Sequence, residues 1–129
     1  MDARLDAVRE LWSTYREQGP DVALKLLDPD VEFVAHDGRS YRGHAGVERF
    51  FAEFVERGER FMASIYTFEL HEPDVMVVGY RRIRSGDGTT RGDYLFFVHS
   101  FNDGRVSRIA AHLSREAALA EIAQRASPA

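Results

Sequence analysis

Four strand-like segments separated by tight turns fill the second half of the chain, and this pattern restricts the possible folds most. Residues 61–70, 75–84, 89–101 and 105–113 are rich in β-branched and aromatic side chains, as strands are. The sequences between them, HEPD, SGDG and NDG, are typical of tight turns. Consecutive strands joined in this way predict an antiparallel meander, and strand twist is expected to curl it.

The first half of the chain is predicted to be mostly helical. An amphipathic helix spans residues 2–18, and Gly19-Pro20 ends it. Asp21 is a plausible N-cap for a short second helix, which Asp28-Pro29 ends because proline disfavours helical geometry in the residue before it. Near the end of the chain, Ser114 is predicted to cap a closing helix. The pattern as a whole predicts an α+β fold with a curved antiparallel sheet packed on the N-terminal helices.

A strand, a turn and a helix connect the two halves. Apolar and polar residues alternate from Val31 to His36, which predicts a strand that places His36 at the mouth of the fold. The helix that follows is expected to fold back over the sheet with a broad apolar stripe. This stripe consists of Val47, Phe50, Phe51, Phe54 and Val55.

Length and composition indicate one domain over residues 1–129. The net charge is -4 and there is no cysteine, so we expect neither disulfides nor thiolate chemistry. No apolar run approaches the length of a membrane span, and the charged amphipathic start does not resemble a signal peptide. We therefore expect a cytoplasmic protein that does not contact membranes. Residues 126–129 have the composition of a loose tail.

An arginine cluster near one predicted hairpin tip does not indicate nucleic-acid binding. It consists of Arg81, Arg82, Arg84 and Arg91, with Asp87 and Asp93 as acidic neighbours. No two histidines have helical i, i+4 spacing, so we also expect no metal site, and nothing in the sequence indicates a cofactor.

The order of helices and strands resembles the nuclear transport factor 2-like superfamily, and especially its SnoaL-like branch. The segments DPDVEFVAHDG, YRGHAGVERFFAEF and VHSFNDGRVSRIAAHLSREAAL carry this resemblance, which covers nearly the whole chain. It implies a cone-shaped, cystatin-like fold and a homodimer formed through the convex sheet face. The family includes ketosteroid isomerases, polyketide cyclases, epoxide hydrolases, dehydratases and non-catalytic binding modules, so the fold alone does not define the function.

The register of the last hairpin decides which side chains face the pocket. A two-residue turn at Asp103-Gly104 places His99 opposite Arg108, whereas a three-residue loop places Phe97 opposite Ile109 and turns His112 to the other face. We favour the second register because it creates one continuous apolar face. This face consists of Leu95, Phe97, Ile109, Ala111 and Leu113, with Asp93 and His99 as its polar members.

His36 and Asp93 are the first candidates for proton transfer. His36 stands where the resemblance implies a catalytic group, and an imidazole titrates near neutral pH. A loop histidine bonded to backbone is the alternative interpretation. Asp93 is either a buried acid with a raised pKa or the partner of Arg82 in an ion pair across the hairpin, and we favour the ion pair.

His99 and Tyr15 are further candidates. His99 is either a proton carrier in the pocket or a core histidine whose hydrogen bonds are satisfied. Tyr15 is positioned on the first helix either to donate to an oxyanion or to fill the core. The predicted ligand-lining residues are Trp12, Phe51, Phe54, Tyr66, Tyr80, Phe97, Ile109 and Ala111.

Two functions follow from these candidates. The first is a protein that binds a small apolar, aromatic or polyketide-like ligand and catalyses a cofactor-free isomerisation, cyclisation or dehydration by proton transfer. The second is a non-catalytic ligand carrier or dimerising module, which the absence of two pocket acids favours, since Phe97 stands about where one would be expected. A sizeable cavity lined by His36, Tyr15 and His99 would favour the first, and a cone filled by Trp12, Phe51 and Phe97 the second.

Overall fold

The computed structural model describes residues 2–126. The helices are α1 (Ala3–Gln18), α2 (Pro20–Ala23), α3 (Gly43–Glu56) and α4 (Arg115–Ala126), and a 3₁₀ turn (Leu24–Leu26) follows α2. The strands are β1 (Leu27–Val34), β2 (Ser40–Arg42), β3 (Arg60–His71), β4 (Asp74–Arg84), β5 (Thr90–Asn102) and β6 (Arg105–His112). Ala126 is the last residue of α4, and the rest of the predicted tail lies outside the described residues.

The strands form one curved sheet in the order β2-β1-β6-β5-β4-β3. The predicted antiparallel meander of β3 to β6 is confirmed, and so is the α+β class. Strand β1 extends the meander by pairing in parallel with β6, which the sequence did not predict. It begins at Leu27, earlier than expected, because Leu27 pairs with Val106. The pairing is irregular between Leu27 and Glu32, a stretch that contains Pro29, which has no N–H to donate.

The helix boundaries follow local capping interactions. The carboxylate of Asp2 accepts a 2.9 Å hydrogen bond from the N–H of Arg4 and caps α1, and Ser114 Oγ accepts one of 3.1 Å from Ala117 as predicted. The prediction that Asp21 caps α2 is wrong. Gly19 is the cap residue and Pro20 is the first helical residue, a position that tolerates proline because its missing N–H would have no helical partner.

The last hairpin has a two-residue turn, so the favoured three-residue loop is wrong. Asp103 and Gly104 both have positive φ, at 50° and 79°, which is the geometry of the turn that best matches strand twist. A bulge at Ser107 then shifts the register by one residue, so that His99 pairs with Ile109 and Phe97 with Ala111. The predicted apolar face therefore forms, although by a different route. Leu113 is not part of it, because it lies beyond β6 and is 53% exposed.

The two sheet faces have different coverings. The concave face packs against α1, α2 and α3 in the main core, which includes Val8, Leu11, Val31, Val47, Val77, Leu95 and Phe97. Helix α4 covers part of the convex face, where Met76 and Val98 pack against Ala118 and Ile122. Bulges in β3 and β6 increase the bend of the sheet.

Candidate functional site

Two cavities lie between the concave sheet face and the N-terminal helices. We call the smaller of the two, about 70 Å³, the inner cavity and the larger one the outer cavity. The walls of the inner cavity are almost entirely apolar. Its lining includes Leu11, Trp12, Tyr15, Leu24, Phe51 and Ile109. The outer cavity is larger, about 370 Å³, and lies where β1 and α3 end and β3 and β5 begin.

The outer cavity has an aromatic floor and a charged rim. The floor is formed by Phe33, Phe50, Phe54, Phe61 and Phe97, with Ala111 beside them. The rim is formed by His36, Asp37, Arg39, Arg57, Arg81 and Arg91. A flat apolar molecule would fit against this floor while its polar groups face the rim.

Four phenylalanines are shared by the two cavities. Phe33, Phe50, Phe61 and Phe97 line both of them, and we call these four residues the phenylalanine wall. Three of the rings pack together, with centroids 4.6 Å apart for Phe33 and Phe50 and 6.1 Å apart for Phe50 and Phe61. The ring of Phe97 packs against Trp12, with centroids 5.1 Å apart. The other lining residues, among them Tyr15 and His36, belong to only one of the two cavities.

The loop after β1 places His36 at the rim. The N–H of Gly38 donates to the carbonyl of Ala35 at 2.9 Å, and Asp37 accepts hydrogen bonds from the backbone and side chain of Arg39 at 3.1 and 2.9 Å. The backbone bond from Arg39, with its guanidinium, holds the pKa of Asp37 below its usual range. His36 is exposed at this rim and makes no hydrogen bond within residues 2–126. Its imidazole is therefore accessible to a bound molecule.

Asp93 forms an ion pair, as favoured, but its partner is Arg81 and not Arg82. Strand pairing places Arg81 directly opposite Asp93, whereas Arg82 lies opposite Gly92 on the other face. The guanidinium donates from Nε and Nη2 at 3.0 and 2.9 Å to the two carboxylate oxygens. The carboxylate is 41% exposed, so the alternative of a buried acid is wrong.

His99 is a core residue with both ring nitrogens engaged. Its Nε2 accepts a 2.9 Å hydrogen bond from Trp12 Nε1, so Nδ1 carries the proton and donates to the carbonyl of Phe97 at 3.1 Å. Complete burial lowers the pKa of His99 to about 4. This neutral imidazole lines neither cavity.

Tyr15 faces the inner cavity with Trp12 and Phe51. Burial raises the pKa of Tyr15 to about 12, so the phenol is neutral and remains a hydrogen-bond donor. Tyr15 lines the inner cavity, His36 lines the outer one and His99 lines neither, so the four predicted catalytic residues do not converge on one position. Their catalytic roles remain predictions, and His36 has the most favourable location.

The predicted lining residues fall into three groups. Trp12, Phe51 and Ile109 line the inner cavity, Phe54 and Ala111 line the outer one, and Phe97 lines both. Tyr66 and Tyr80 line neither, because they lie on the convex face against Tyr94, with ring centroids 6.2 and 5.0 Å from it. Tyr66 is the extra residue of the bulge in β3, which the alternation pattern does not reveal.

The arginines of the rim were not predicted as site residues. The sequence contained a signal for two of them, since alternation along β5 places Arg91 on the face of Leu95 and Phe97. Arg81 shares that face through its pairing with Asp93. Arg39 and Arg57 come from a loop and a helix end, where no periodic pattern indicates direction.

Within residues 2–126, no three acidic or histidine side chains are grouped as ligands of a metal ion would be. None of the helices described is both long enough and apolar enough to cross a membrane.

Comparison with solved structures assigns the fold. TerC co-crystallised with polyporic acid is 24% identical, with a TM-score of 0.73 over 95% of this chain and 99% of that one. A nuclear transport factor 2-like protein of unknown function from Burkholderia pseudomallei is 21% identical, with a TM-score of 0.75 over 95% and 98%. A Mycobacterium tuberculosis protein in complex with estradiol-17β-hemisuccinate is 15% identical, with a TM-score of 0.73 over 90% and 97%. The fold is therefore nuclear transport factor 2-like.

The sequence assigns the family within this fold. The family model described as SnoaL-like domain matches residues 8–114, and the chain belongs to this family. No curated protein matches the chain.

Proposed function

We propose that this protein binds a small molecule with a flat apolar body in the outer cavity. The observation that carries the proposal is the cavity of about 370 Å³ with an aromatic floor and a polar rim. This volume is at the lower end of the range of about 300–1,000 Å³ for ligand sites, which are mostly apolar with a few polar groups for orientation. The ligands named for TerC and for the Mycobacterium tuberculosis protein, polyporic acid and a steroid ester, support a ligand of this class.

The proposed chemistry is a cofactor-free proton transfer by His36. Its imidazole is accessible at the rim, and an imidazole can act as a general base and acid, so it can remove a proton from a ligand carbon or hydroxyl and return it elsewhere. Isomerisation, cyclisation and dehydration all need such a step. Asp93, His99 and Tyr15 take no direct part in this scheme, since the first is paired with Arg81 and the other two do not line the outer cavity.

A non-catalytic ligand carrier is the alternative, and a specific observation favours it. Of the four residues predicted to be catalytic, His36 alone faces the outer cavity. A single accessible histidine is sufficient for binding and orientation, whereas isomerases of the resembled type use several groups together.

The test combines ligand capture with variants of the cavity. Purified protein is screened by native mass spectrometry against aromatic and polyketide-like compounds, and retained compounds are incubated with enzyme and analysed for conversion. Ala111→Phe, which fills the outer cavity, should abolish retention, and circular dichroism checks that this variant folds. If Ala111→Phe retains the ligand as the wild type does, the outer cavity is not the site.

His36→Ala separates the two functions. If the protein is catalytic, this variant should keep most of its ligand retention and lose conversion by a factor of about 10²–10⁴, the usual contribution of a general base. His71→Ala is the matched control, because His71 lies at the β3–β4 turn, away from both cavities. Unchanged conversion in His36→Ala would exclude His36 as the base, and retention without conversion by the wild type would favour the carrier.

We also propose that two copies associate through the convex sheet face. Helix α4 leaves part of this face uncovered, and Tyr66 and Tyr94 there are 57% and 55% exposed although their rings pack against each other. Met62, also exposed, extends the apolar surface along β3. Large exposed apolar patches of this kind are typical of interfaces.

A further inference from the structure

The rim of the outer cavity is rich in arginine. The whole chain has a net charge of -4, yet the cavity lining contains four arginines and one carboxylate, that of Asp37. Because the floor is aromatic and the Arg81 side chain is largely enclosed, its guanidinium would interact with a ligand charge more strongly than in water.

Carboxylates pair with the arginines of the rim but engage only some of their N–H donors. Glu59 is shared by two arginines, accepting from Arg57 Nε at 2.8 Å and from Arg91 Nη1 at 2.9 Å. Arg39 is paired with Asp37 through Nε at 2.9 Å, and its Nη1 lies 3.7 Å from Glu53 Oε1. Each guanidinium has five N–H groups, and these bonds use one from each arginine. Donors remain on all three side chains for an anion at the rim.

Arg81 is the most enclosed of the four arginines. Its side chain is 13% exposed, and it lines the cavity next to the aromatic floor. The bidentate bond to Asp93 occupies Nε and Nη2, whereas Nη1 makes no hydrogen bond within residues 2–126. One end of the guanidinium is therefore available to a ligand, and its direction is fixed by the bond to Asp93.

We propose that the outer cavity selects organic acids: molecules with an aromatic or similarly flat body and a carboxylate or other ionised acidic oxygen. The body packs on the phenylalanine floor, and the anionic group accepts charge-assisted hydrogen bonds from Arg81 and from the arginines of the rim. This inference rests on the proposed function, since it names the class of ligand for the same cavity. A neutral or cationic molecule of the same shape would not form these charge-assisted hydrogen bonds with the guanidinium groups, so we expect it to bind more weakly.

The test compares three ligands that share a naphthalene body and carry a negative, a neutral or a positive substituent at position 2. The affinities of 2-naphthoate, 2-naphthamide and 2-(aminomethyl)naphthalene are measured by isothermal titration calorimetry near neutral pH, at low and at high salt. The acid should bind at least about tenfold more tightly than the amide, as one additional charge-assisted hydrogen bond implies, and the amine most weakly. High salt should reduce the preference for the acid.

Two variants of the Arg81 ion pair test its role in opposite directions. Arg81→Gln should lower the affinity for the acid by about tenfold and leave the affinity for the amide nearly unchanged. Asp93→Asn removes the competing carboxylate, so it should raise the affinity for the acid and again leave the affinity for the amide unchanged. Arg105→Gln is the control, because Arg105 is exposed at the start of β6 and lines neither cavity. If Arg81 had a purely structural role, Arg81→Gln would instead lower the affinities for both ligands equally.

The outcomes separate this inference from the proposed function. If the acid and the amide bind equally and Ala111→Phe abolishes both, the cavity is the site but selection for acids is wrong. If none of the three ligands shifts the backbone resonances of His36, Arg81 and Arg91 in an NMR titration, both this inference and the proposed site are wrong. Shifts from the acid that the amide does not produce would support the inference.

Discussion

Trp12 on helix α1 donates a 2.9 Å hydrogen bond from Nε1 to Nε2 of His99 in the middle of strand β5. The bond joins two parts of the chain that are 87 residues apart, and it holds the helix against the concave face. His99 is completely buried, and its other nitrogen is bonded to the carbonyl of Phe97. The pair thus satisfies a polar group that would otherwise be unpaired in the core.

Trp12→Phe should destabilise the protein by about 1–3 kcal/mol, the usual cost of leaving a buried acceptor unpaired. The substitution keeps an aromatic ring but removes the donor to His99 Nε2. Urea denaturation measures the change in the free energy of unfolding. Tyr15→Phe is the control, because the Tyr15 hydroxyl has no hydrogen bond within the described residues. Equal losses in the two variants would contradict a specific contribution of the bond.

His99 should make the protein less stable below neutral pH. Burial lowers its pKa from 6.5 to about 4 in the folded protein, so between these values the unfolded chain binds more protons than the folded one. The contribution of His99 to the free energy of unfolding is therefore fully present above pH 6.5 and is lost as the pH decreases from 6.5 to 4. The contribution of this group is about 3 kcal/mol, at about 1.4 kcal/mol for each pKa unit.

His99→Gln tests this pH dependence, because glutamine does not titrate and its carbonyl oxygen can still accept from Trp12. The free energy of unfolding is measured for the wild type and the variant across the same pH range. The difference between the two curves cancels the contributions of other groups, including Glu69, whose pKa the bond from Arg115 lowers to about 2. The stability of the variant should change less with pH. Parallel curves would show that His99 does not titrate in the unfolding reaction.

The fold could be predicted because its signals are local and repeated. Strand alternation, turn sequences and the cap at Ser114 each act within a few residues of one another, so the meander and most helix boundaries followed from them. The parallel pairing of β1 with β6 did not, because it joins segments distant in the chain and depends on closure of the whole sheet. Bulges are similarly hidden, as the one at Ser107 shows by changing the register that the turn alone would impose.

The site was harder to predict than the fold because it depends on side-chain partners. Alternation placed Asp93 and His99 on the concave face, but their availability is decided by Arg81 and Trp12. The phenylalanine wall is also invisible in the sequence, since Phe33, Phe50, Phe61 and Phe97 come from four different elements. Which side chains the two cavities share is decided by how these four elements pack together.

Phe61→Ala should join the two cavities. Phe61 belongs to the phenylalanine wall and is only partly buried, so its removal should cost less than the roughly 3–5 kcal/mol typical of a core phenylalanine. The variant should bind an elongated ligand such as 6-phenyl-2-naphthoate more tightly, relative to 2-naphthoate, than the wild type does. Phe68→Ala is the control, because Phe68 is also partly buried on β3 but lines neither cavity. If both variants show the same ligand preference, the wall does not limit ligand length.

Tyr66→Asp combined with Tyr94→Asp should convert the proposed homodimer into a monomer. Each substitution would place an unpaired carboxylate in the interface, and the cost of removing it from water opposes association. Sedimentation equilibrium of the wild type and the variant measures the change in association state. Val55→Asp is the control, because Val55 is 76% exposed on α3 and lies away from the convex face. A monomeric wild type, or a double variant that still forms dimers, would show that the tyrosines of the convex face do not mediate association. Loss of the dimer in Val55→Asp alone would place the interface on α3 instead.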